Sequence, residues 1–147
     1  MSSIALGADH AGFDYKERIK ELLKSLGYEF KDFGTFSTES TDYPDYAHLV
    51  AVAISTGGIE RGILVCGTGI GMSITANKHN GVRAAVVESV EAARLSRQHN
   101  NANILCLGAR ITPWDRCIDI IKIFLTTDFE GGRHERRVEK IHTLTNL

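Results

Sequence analysis

The sequence predicts an α/β protein: a Rossmann-like three-layer α/β/α sandwich with a five-stranded parallel sheet. Two observations support this fold class. Short apolar segments, suited to burial on both faces, alternate with longer segments whose apolar residues recur at helical spacing. Such strands are typical of parallel sheets that helices cover on both sides, and right-handed crossovers then give a doubly wound arrangement.

Local patterns predict each element in turn. Apolar runs predict strands over residues 4–8, 28–33, 63–66, 82–87 and 104–107. Helical spacing predicts helices over 13–26, 45–56, 70–78 and 90–98, and Gly27 should end the first of them. Thr112 and Pro113 predict the start of another helix, with Thr112 as its cap and Pro113 at its first position. A basic helix at about 133–145 closes the chain.

Composition limits the classes of function. The 147 residues, 43% of them hydrophobic, favour a single domain over 1–147. A net charge of −1 argues against nucleic acid or an anionic membrane surface as partner. No apolar run is long enough to span a membrane, and the first residues lack the pattern of a secretion signal. Three cysteines without a CxxC pair indicate a reducing, cytoplasmic environment.

Reactive side chains follow several predicted elements. In open α/β folds, ligands bind beyond the carboxyl ends of the strands. We expect the following residues at that edge: Asp9 and His10 after the first strand, Cys66 at the end of the third, and farther round His99, Asn100 and Arg110.

A glycine segment, Gly67-Thr68-Gly69-Ile70-Gly71, separates the third strand from its helix. Its main-chain N–H groups and the helix N-terminus favour a phosphate or a developing oxyanion. A tight turn without a ligand is the alternative. Gly67 and Gly69 also begin a dinucleotide fingerprint, but Met72 occupies the place of its third glycine, and no P-loop lysine follows.

Cys66 at the mouth of this turn is the candidate base. A thiol beside a helix N-terminus ionises readily and can remove a proton from a carbon whose oxygen faces the N–H groups. The alternative is a buried apolar cysteine, which we predict for Cys106 and Cys117. A zinc site made of Cys66, His10, His99 and Asp9 is conceivable, but the spacings match no metal motif, and we expect no metal.

The last helix is strongly basic. Arg133 and Arg137 are four residues apart and share a face, and guanidinium groups suit phosphate. A solvated basic face is the alternative, and His134 is expected in such a solvated position. Val138, Ile141 and Leu144 nevertheless indicate a docked helix, and we expect it to pack on a second subunit.

The chain closely resembles the ribose-5-phosphate isomerase B family, which includes galactose-6-phosphate isomerase subunits and allose-6-phosphate isomerases. The resemblance runs nearly end to end. It is carried by Gly7-Ala8-Asp9-His10-Ala11-Gly12, Thr41-Asp42-Tyr43-Pro44, the segment from Cys66 to Ser73, Ala76-Asn77-Lys78, Ser96-Arg97-Gln98-His99-Asn100 and Gly131-Gly132-Arg133-His134.

The resemblance implies a role for each motif. Cys66 would move the proton between C1 and C2, and Thr68 would move protons between the two oxygens. His99 with Asp9 would open the furanose ring. Some relatives use a glutamate where this chain has Met72, so the base here should be Cys66. The remaining groups would be an anion hole formed by Gly67, Gly69, Ile70 and Gly71, sugar contacts from Tyr43 and Asn100, and phosphate contacts from His10, Arg110, Arg133 and Arg137.

The resemblance implies interconversion of D-ribose 5-phosphate and D-ribulose 5-phosphate through an enediolate, in the non-oxidative pentose phosphate pathway. No cofactor is expected, and the partner would be a small sugar phosphate. Relatives are homodimers or dimers of dimers with shared sites. Two alternatives remain: a six-carbon substrate such as allose 6-phosphate or galactose 6-phosphate, and a non-catalytic sugar-phosphate or nucleotide-binding module.

Overall fold

A computed structural model describes residues 3–147 and contains five strands and six helices. The strands are β1 (Ser3–Ala8), β2 (Glu29–Asp32), β3 (Arg61–Cys66), β4 (Ala84–Val86) and β5 (Ile104–Gly108). The helices are α1 (Phe13–Ser25), α2 (Tyr43–Ser55), α3 (Ile70–Ala76), α4 (Val90–Gln98), α5 (Trp114–Thr126) and α6 (Arg133–Thr145).

All strands are parallel, in the order β2-β1-β3-β5-β4. Alternate residues of the central strands enter two separate cores. Leu6, Ile63 and Leu105 pack with α1, α4 and α5 on one face, whereas Leu64 and Cys106 pack with α2 and α3 on the other. This alternation follows from the two-residue period of a strand. The predicted α/β/α sandwich with a five-stranded parallel sheet is therefore confirmed.

Element boundaries differ from prediction at a few points. The edge strand β4 pairs only with β5, and it is shorter than the predicted 82–87, although Val82 and Val87 are buried. The predicted cap at Thr112 is wrong, because Pro113 has ψ of 149° and is itself the cap. The helix therefore begins one residue later, at Trp114.

A buried ion pair fixes α1 against the edge strand β2. The Lys16 side chain is 1% exposed, and its Nζ lies 2.6 Å from Asp32 Oδ2. Lys20 Nζ contacts the same oxygen at 3.1 Å. Burial raises the pKa of Asp32, but hydrogen bonds from Lys16, from the main-chain N–H of Gly34 and from Lys20 outweigh it, so the pKa is lowered overall. The Asp32 carboxylate thus stays ionised beneath α1.

Candidate active site

A cavity of about 410 Å³ opens beyond the carboxyl ends of β1 and β3, where ligands bind in open α/β folds. Eight of the fourteen residues predicted for the site line this cavity. The lining residues are Asp9, Tyr43, Cys66, Gly67, Thr68, Ile70, Gly71, Ile74 and Arg110.

Cys66 is the last residue of β3, and 5% of it is exposed. The main-chain N–H of Gly69 donates to Cys66 Sγ at 3.1 Å. Gly69 precedes α3 with φ of +80°, and a Cβ there would lie 3.0 Å from the carbonyl carbon of Leu107. A glycine is required on both grounds, since side chains disfavour this backbone region. The turn therefore aims an N–H donor at the sulfur.

The four predicted anion-hole residues are not equivalent. The N–H of Gly69 is engaged by Cys66 Sγ, and the N–H of Ile70 donates to Thr68 Oγ1 at 3.2 Å. The N–H groups of Gly67 and Gly71 make no hydrogen bond within residues 3–147. Two donors therefore remain free for a ligand oxygen.

Asp9 occupies the turn after β1, and 7% of it is exposed. Its Oδ1 accepts hydrogen bonds from the N–H groups of Ala11 at 3.0 Å and Gly12 at 3.1 Å. A Cβ at Gly12 would lie 2.2 Å from Val65 O, so glycine lets this turn pack on β3. The Asp9 carboxylate is therefore held rigidly at the cavity wall, while Oδ2 accepts no hydrogen bond from residues 3–147.

Three further predicted residues lie at this edge. Arg110 Nη1 lies 3.1 Å from the position of a Cβ at Gly67, and its main-chain N–H donates to Gly67 O at 3.0 Å. The Tyr43 ring packs against Gly71. His10 follows Asp9, and its Nδ1 accepts from the N–H of Thr41 at 3.1 Å, which leaves Nε2 as the protonated nitrogen of the neutral ring.

His99 and Asn100 do not share this edge, and the prediction that placed them there is wrong. Helix α4 returns from the carboxyl end of β4 to the amino end of β5, so His99, which caps α4, lies at the opposite edge of the sheet. Asn100 lines a separate cavity with Arg83 and Ile141. Arg133 and Arg137 are exposed on α6 and also lie outside the Cys66 cavity.

His99 belongs to a cluster with Glu130 and His134. Glu130 Oε1 lies 3.8 Å from His99 Nε2 and 3.6 Å from His134 Nε2, and the two rings stack with centroids 4.2 Å apart at 12°. His134 is 8% exposed, so the prediction of a solvated position is wrong. Burial lowers the pKa of His134, and His99, Arg133 and Arg137 act in the same direction against Glu130. His134 is therefore largely neutral near neutral pH.

The same cluster is the one group of three metal-ligating side chains within residues 3–147. Its ligand atoms lie within 4.8 Å of one another. Because the two rings are stacked and nearly parallel, their nitrogen lone pairs cannot both point at one ion. The positive charges of Arg133 and Arg137 also act on His134, where they lower its pKa. The alternative zinc set of Cys66, His10, His99 and Asp9 is divided between opposite edges of the sheet.

Comparison with known proteins identifies the family. Residues 4–141 match the family described as Ribose/Galactose Isomerase. This chain belongs to that family. It is 48% identical to ribose-5-phosphate isomerase B of Escherichia coli over 96% of this chain and 95% of the relative. It is 45% identical to D-erythrulose-4-phosphate isomerase of Pectobacterium atrosepticum, over 96% and 93% of the two chains.

Solved structures of the ribose/galactose isomerase family agree with the fold. The Clostridium thermocellum ribose-5-phosphate isomerase B is 49% identical with a TM-score of 0.96, covering 98% of this chain and 97% of that chain. The Mycoplasma genitalium protein, solved with bound ribulose 5-phosphate, is 42% identical with a TM-score of 0.94, covering 98% and 96%. Among the helices of residues 3–147, none combines the length and the apolar character that a membrane span requires.

Some residues of the Cys66 cavity and of the His99 cluster were not predicted. Ile74 lines the cavity, and 59% of it is exposed. It is one helical turn beyond Ile70, a spacing that could have indicated it.

Glu130 and His134 were not predicted as neighbours of His99. Their four-residue separation could have indicated that their side chains lie close together. The burial of Cys106 and Cys117 was predicted and is confirmed.

Proposed function

We propose that this chain catalyses the interconversion of D-ribose 5-phosphate and D-ribulose 5-phosphate. The observation that carries the proposal is the hydrogen bond of 3.1 Å from the Gly69 N–H to Cys66 Sγ, inside a cavity that also holds Thr68 and Arg110. A donor aimed at sulfur stabilises a thiolate better than a thiol. Pure sugar binding needs no such nucleophile or base.

Cys66 would remove the proton from C2 of the open-chain aldose and return it to C1. Removal of this weakly acidic proton leaves negative charge on the enediolate oxygen. The free N–H groups of Gly67 and Gly71 would receive that oxygen, with the positive end of α3 behind them. One such donor is typically worth about 3–4 kcal/mol of barrier. The electrons remain within the substrate throughout, so we propose no cofactor.

Thr68 would carry the proton between the two substrate oxygens. Its Oγ1 already accepts from the Ile70 N–H at 3.2 Å, and this fixes the hydroxyl at the cavity wall. The hydroxyl can still donate its own hydrogen and accept through its second lone pair. It can therefore protonate one oxygen while it receives a proton from the other.

The methionine at position 72 supports the proposal that Cys66 is the base in the glycine turn. Its side chain is fully buried in the core between α3 and the sheet, and it does not line the cavity. A thioether cannot accept a proton in this chemistry. The glutamate-based variant of the family is thus not available to this chain.

The remaining groups would come from a second copy of the chain. One chain places Cys66, Asp9, Tyr43, His10 and Arg110 at one edge of the sheet, whereas a second set lies away from that cavity. On α6, apolar side chains such as Ile141 and Leu144 are 44% and 81% exposed beside Arg137. We propose a homodimer or a dimer of dimers in which α6 packs on the partner and the following residues reach the partner's cavity: His99, Asn100, Arg133 and Arg137.

In that assembly, His99 and Asp9 would open the furanose ring, and Tyr43 and Asn100 would contact sugar hydroxyls. His10 and Arg110 would bind the phosphate from one side, with the two α6 arginines on the other. Guanidinium groups suit this role because their paired donors match phosphate oxygens.

Substrate length is the point on which relatives differ. The E. coli relative is named for ribose 5-phosphate and the P. atrosepticum relative for D-erythrulose 4-phosphate, at similar identity. The test is turnover of ribose 5-phosphate, erythrulose 4-phosphate and allose 6-phosphate by the purified protein, in EDTA. We expect ribose 5-phosphate to have the highest kcat/KM. A preference for another sugar phosphate would change the substrate and keep the mechanism.

Absence of turnover on all three, with retained binding, would instead favour a sugar-phosphate-binding module. Loss of activity in EDTA alone would indicate a metal requirement. We further propose that the protein works in the cytoplasm, where this pentose phosphate chemistry would take place.

A further inference from the structure

A second cavity, of about 320 Å³, opens at the amino edge of the sheet, opposite the Cys66 cavity. Three arginines line it: Arg61 at the start of β3, Arg83 just before β4 and Arg97 near the end of α4. Asn101 and Asn103 contribute neutral amides to the same lining. None of these residues belongs to the proposed isomerase machinery, so the cavity lies outside the site proposed for that reaction.

Main-chain carbonyls hold two of these arginines in place. Arg61 Nη1 donates to Phe124 O at 3.2 Å and to Leu125 O at 2.8 Å, and Arg97 Nε donates to Thr127 O at 3.0 Å. These carbonyls terminate α5, whose partial negative charge amounts to about half an elementary charge. The helix end therefore orders two guanidinium groups but offsets only a fraction of their charge.

Hydrogen bonds also hold the Arg83 guanidinium in place. Its Nε donates to Asn101 O at 2.9 Å, and its Nη1 donates to Gly81 O at 3.3 Å and His142 Nε2 at 2.9 Å. None of these acceptors is a carboxylate. Asn101 adopts φ of +48°, a left-handed conformation that presents its carbonyl to Arg83.

The positive charge of the cavity is only partly compensated. Within residues 3–147, none of the three arginines forms an ion pair, and no hydrogen bond engages the Nη2 nitrogen of any of them. Arg97 is 5% exposed. Burial lowers the pKa of Arg97 to about 10, with Arg61 and Arg83 acting in the same direction against Asp128. Arg97 is therefore still charged at neutral pH.

We propose that this cavity is an anion site for a phosphate group, carried either by inorganic phosphate or by a small phosphate monoester. Three rigid guanidinium groups with unused donors match a tetrahedral dianion, which relieves their mutual repulsion. Glu60 also lines the cavity and offsets part of the charge, but three arginines against one glutamate leave the lining with a net positive charge. Asn101 follows His99 and Asn100 directly, so a bound anion stabilises the segment that carries them.

The test separates this site from the proposed catalytic phosphate site. Calorimetric titrations with inorganic phosphate and with glycerol 3-phosphate, at constant ionic strength, use an Arg110→Ala, Arg137→Ala background. Arg83→Gln is added to remove one cavity cation, and Arg116→Gln, an exposed arginine on α5, is the matched control. Thermal unfolding of each variant verifies folding, and Arg61→Gln is the second variant if Arg83→Gln is not folded.

We expect one phosphate group to bind per chain in the background variant and in the control. Arg83→Gln should weaken binding about tenfold or more, since it removes a charged donor. The ligand that binds more tightly identifies the source of the phosphate group. Absence of binding of both ligands, or equal binding by Arg83→Gln and Arg116→Gln, overturns the proposal.

Discussion

The ring of Tyr43 lies directly over Gly71, so closely that a Cβ at Gly71 would come within 2.5 Å of Tyr43 Cε1. Both residues line the Cys66 cavity. The contact joins the start of α2 to the first turn of α3, on which the free Gly71 N–H lies. The position of a proposed sugar contact thus depends on the absence of a side chain at the proposed anion hole.

Replacement of this glycine should therefore impair turnover more than folding. Gly71→Ala forces the Tyr43 ring away, at a cost of about 1–3 kcal/mol of stability for an overpacked contact. We expect kcat/KM to fall by about tenfold or more, because a small misplacement near reacting groups is amplified. Steady-state kinetics and denaturant unfolding measure the two effects. Gly58→Ala is the control, since its nearest atom would be Ala53 O at 3.8 Å. Identical kinetics for the two variants would contradict the role of this contact.

Cys66→Ala should abolish isomerisation and leave ligand binding largely intact. Loss of a positioned base typically costs about 10²–10⁴-fold in rate. Turnover and calorimetric binding of ribulose 5-phosphate provide the two readouts. Cys117→Ala is the control because Cys117 is fully buried in the opposite core, away from the cavity. If Cys66→Ala retained more than a small fraction of the wild-type rate, Cys66 would not be the base.

The three thiols should differ in their reactivity. Burial raises the pKa of Cys106 strongly and that of Cys117 to about 11, so both stay protonated at neutral pH. Only the thiolate reacts with an alkylating agent. Iodoacetamide at neutral pH should first modify Cys66, which borders a cavity, and inactivation should follow the same time course. Peptide mass spectrometry measures the order, and labelling of Cys106 at the rate of Cys66 would contradict it.

Two inactive variants should restore activity when combined. Cys66→Ala lacks the proposed base, whereas His99→Asn lacks a group proposed to act in the partner's cavity. Mixed dimers then contain one complete site and one doubly defective site. Random pairing makes half of the dimers mixed, so we expect about a quarter of wild-type activity. Co-expression with two affinity tags isolates the mixed species. Zero activity in purified mixed dimers would place His99 and Cys66 in the same chain's site.

The buried pair of Lys16 and Asp32 should make stability dependent on pH. The folded pKa of Asp32 is lowered, so the folded state binds fewer protons than the unfolded state as the pH falls. Its contribution is therefore present above the ordinary aspartate pKa and lost as the pH falls through the folded value. Asp32→Asn leaves Lys16 with the half-exposed Glu17, 3.0 Å from its Nζ, as its one remaining counter-charge. We expect a loss of about 3 kcal/mol at pH 7, at the low end of the cost of breaking a buried pair.

Denaturant unfolding from pH 7 to acid measures this prediction, and the Asp32→Asn profile should be flatter than the wild-type profile below about pH 5. Glu21→Gln is the matched control. It removes an ion pair with Lys24 in which both side chains are more than half exposed, at 58% and 75%. Exposed pairs contribute about 0–1 kcal/mol. Equal losses for the two variants would refute the importance of the buried pair.

Much of the fold could be predicted from the sequence because parallel strands and amphipathic helices leave local patterns. The Cys66 cavity could also be predicted, since the glycine turn lies between a strand and a helix. The predicted position of His99 was wrong. The residue type and the local spacing do not tell at which edge of the sheet His99 lies, because that depends on the direction in which α4 crosses the sheet. The burial of Lys16 was not predicted because it depends on Asp32, a partner on another element.

The separation of His99 and α6 from the Cys66 cavity has a consequence at low protein concentration. Under the proposed shared site, a lone chain has a base and an oxyanion turn but lacks the histidine and two phosphate-binding arginines. Specific activity should then decline on dilution below the dissociation constant of the dimer, and excess substrate that bridges two chains should restore it by mass action. Catalysis would be a property of an encounter between chains.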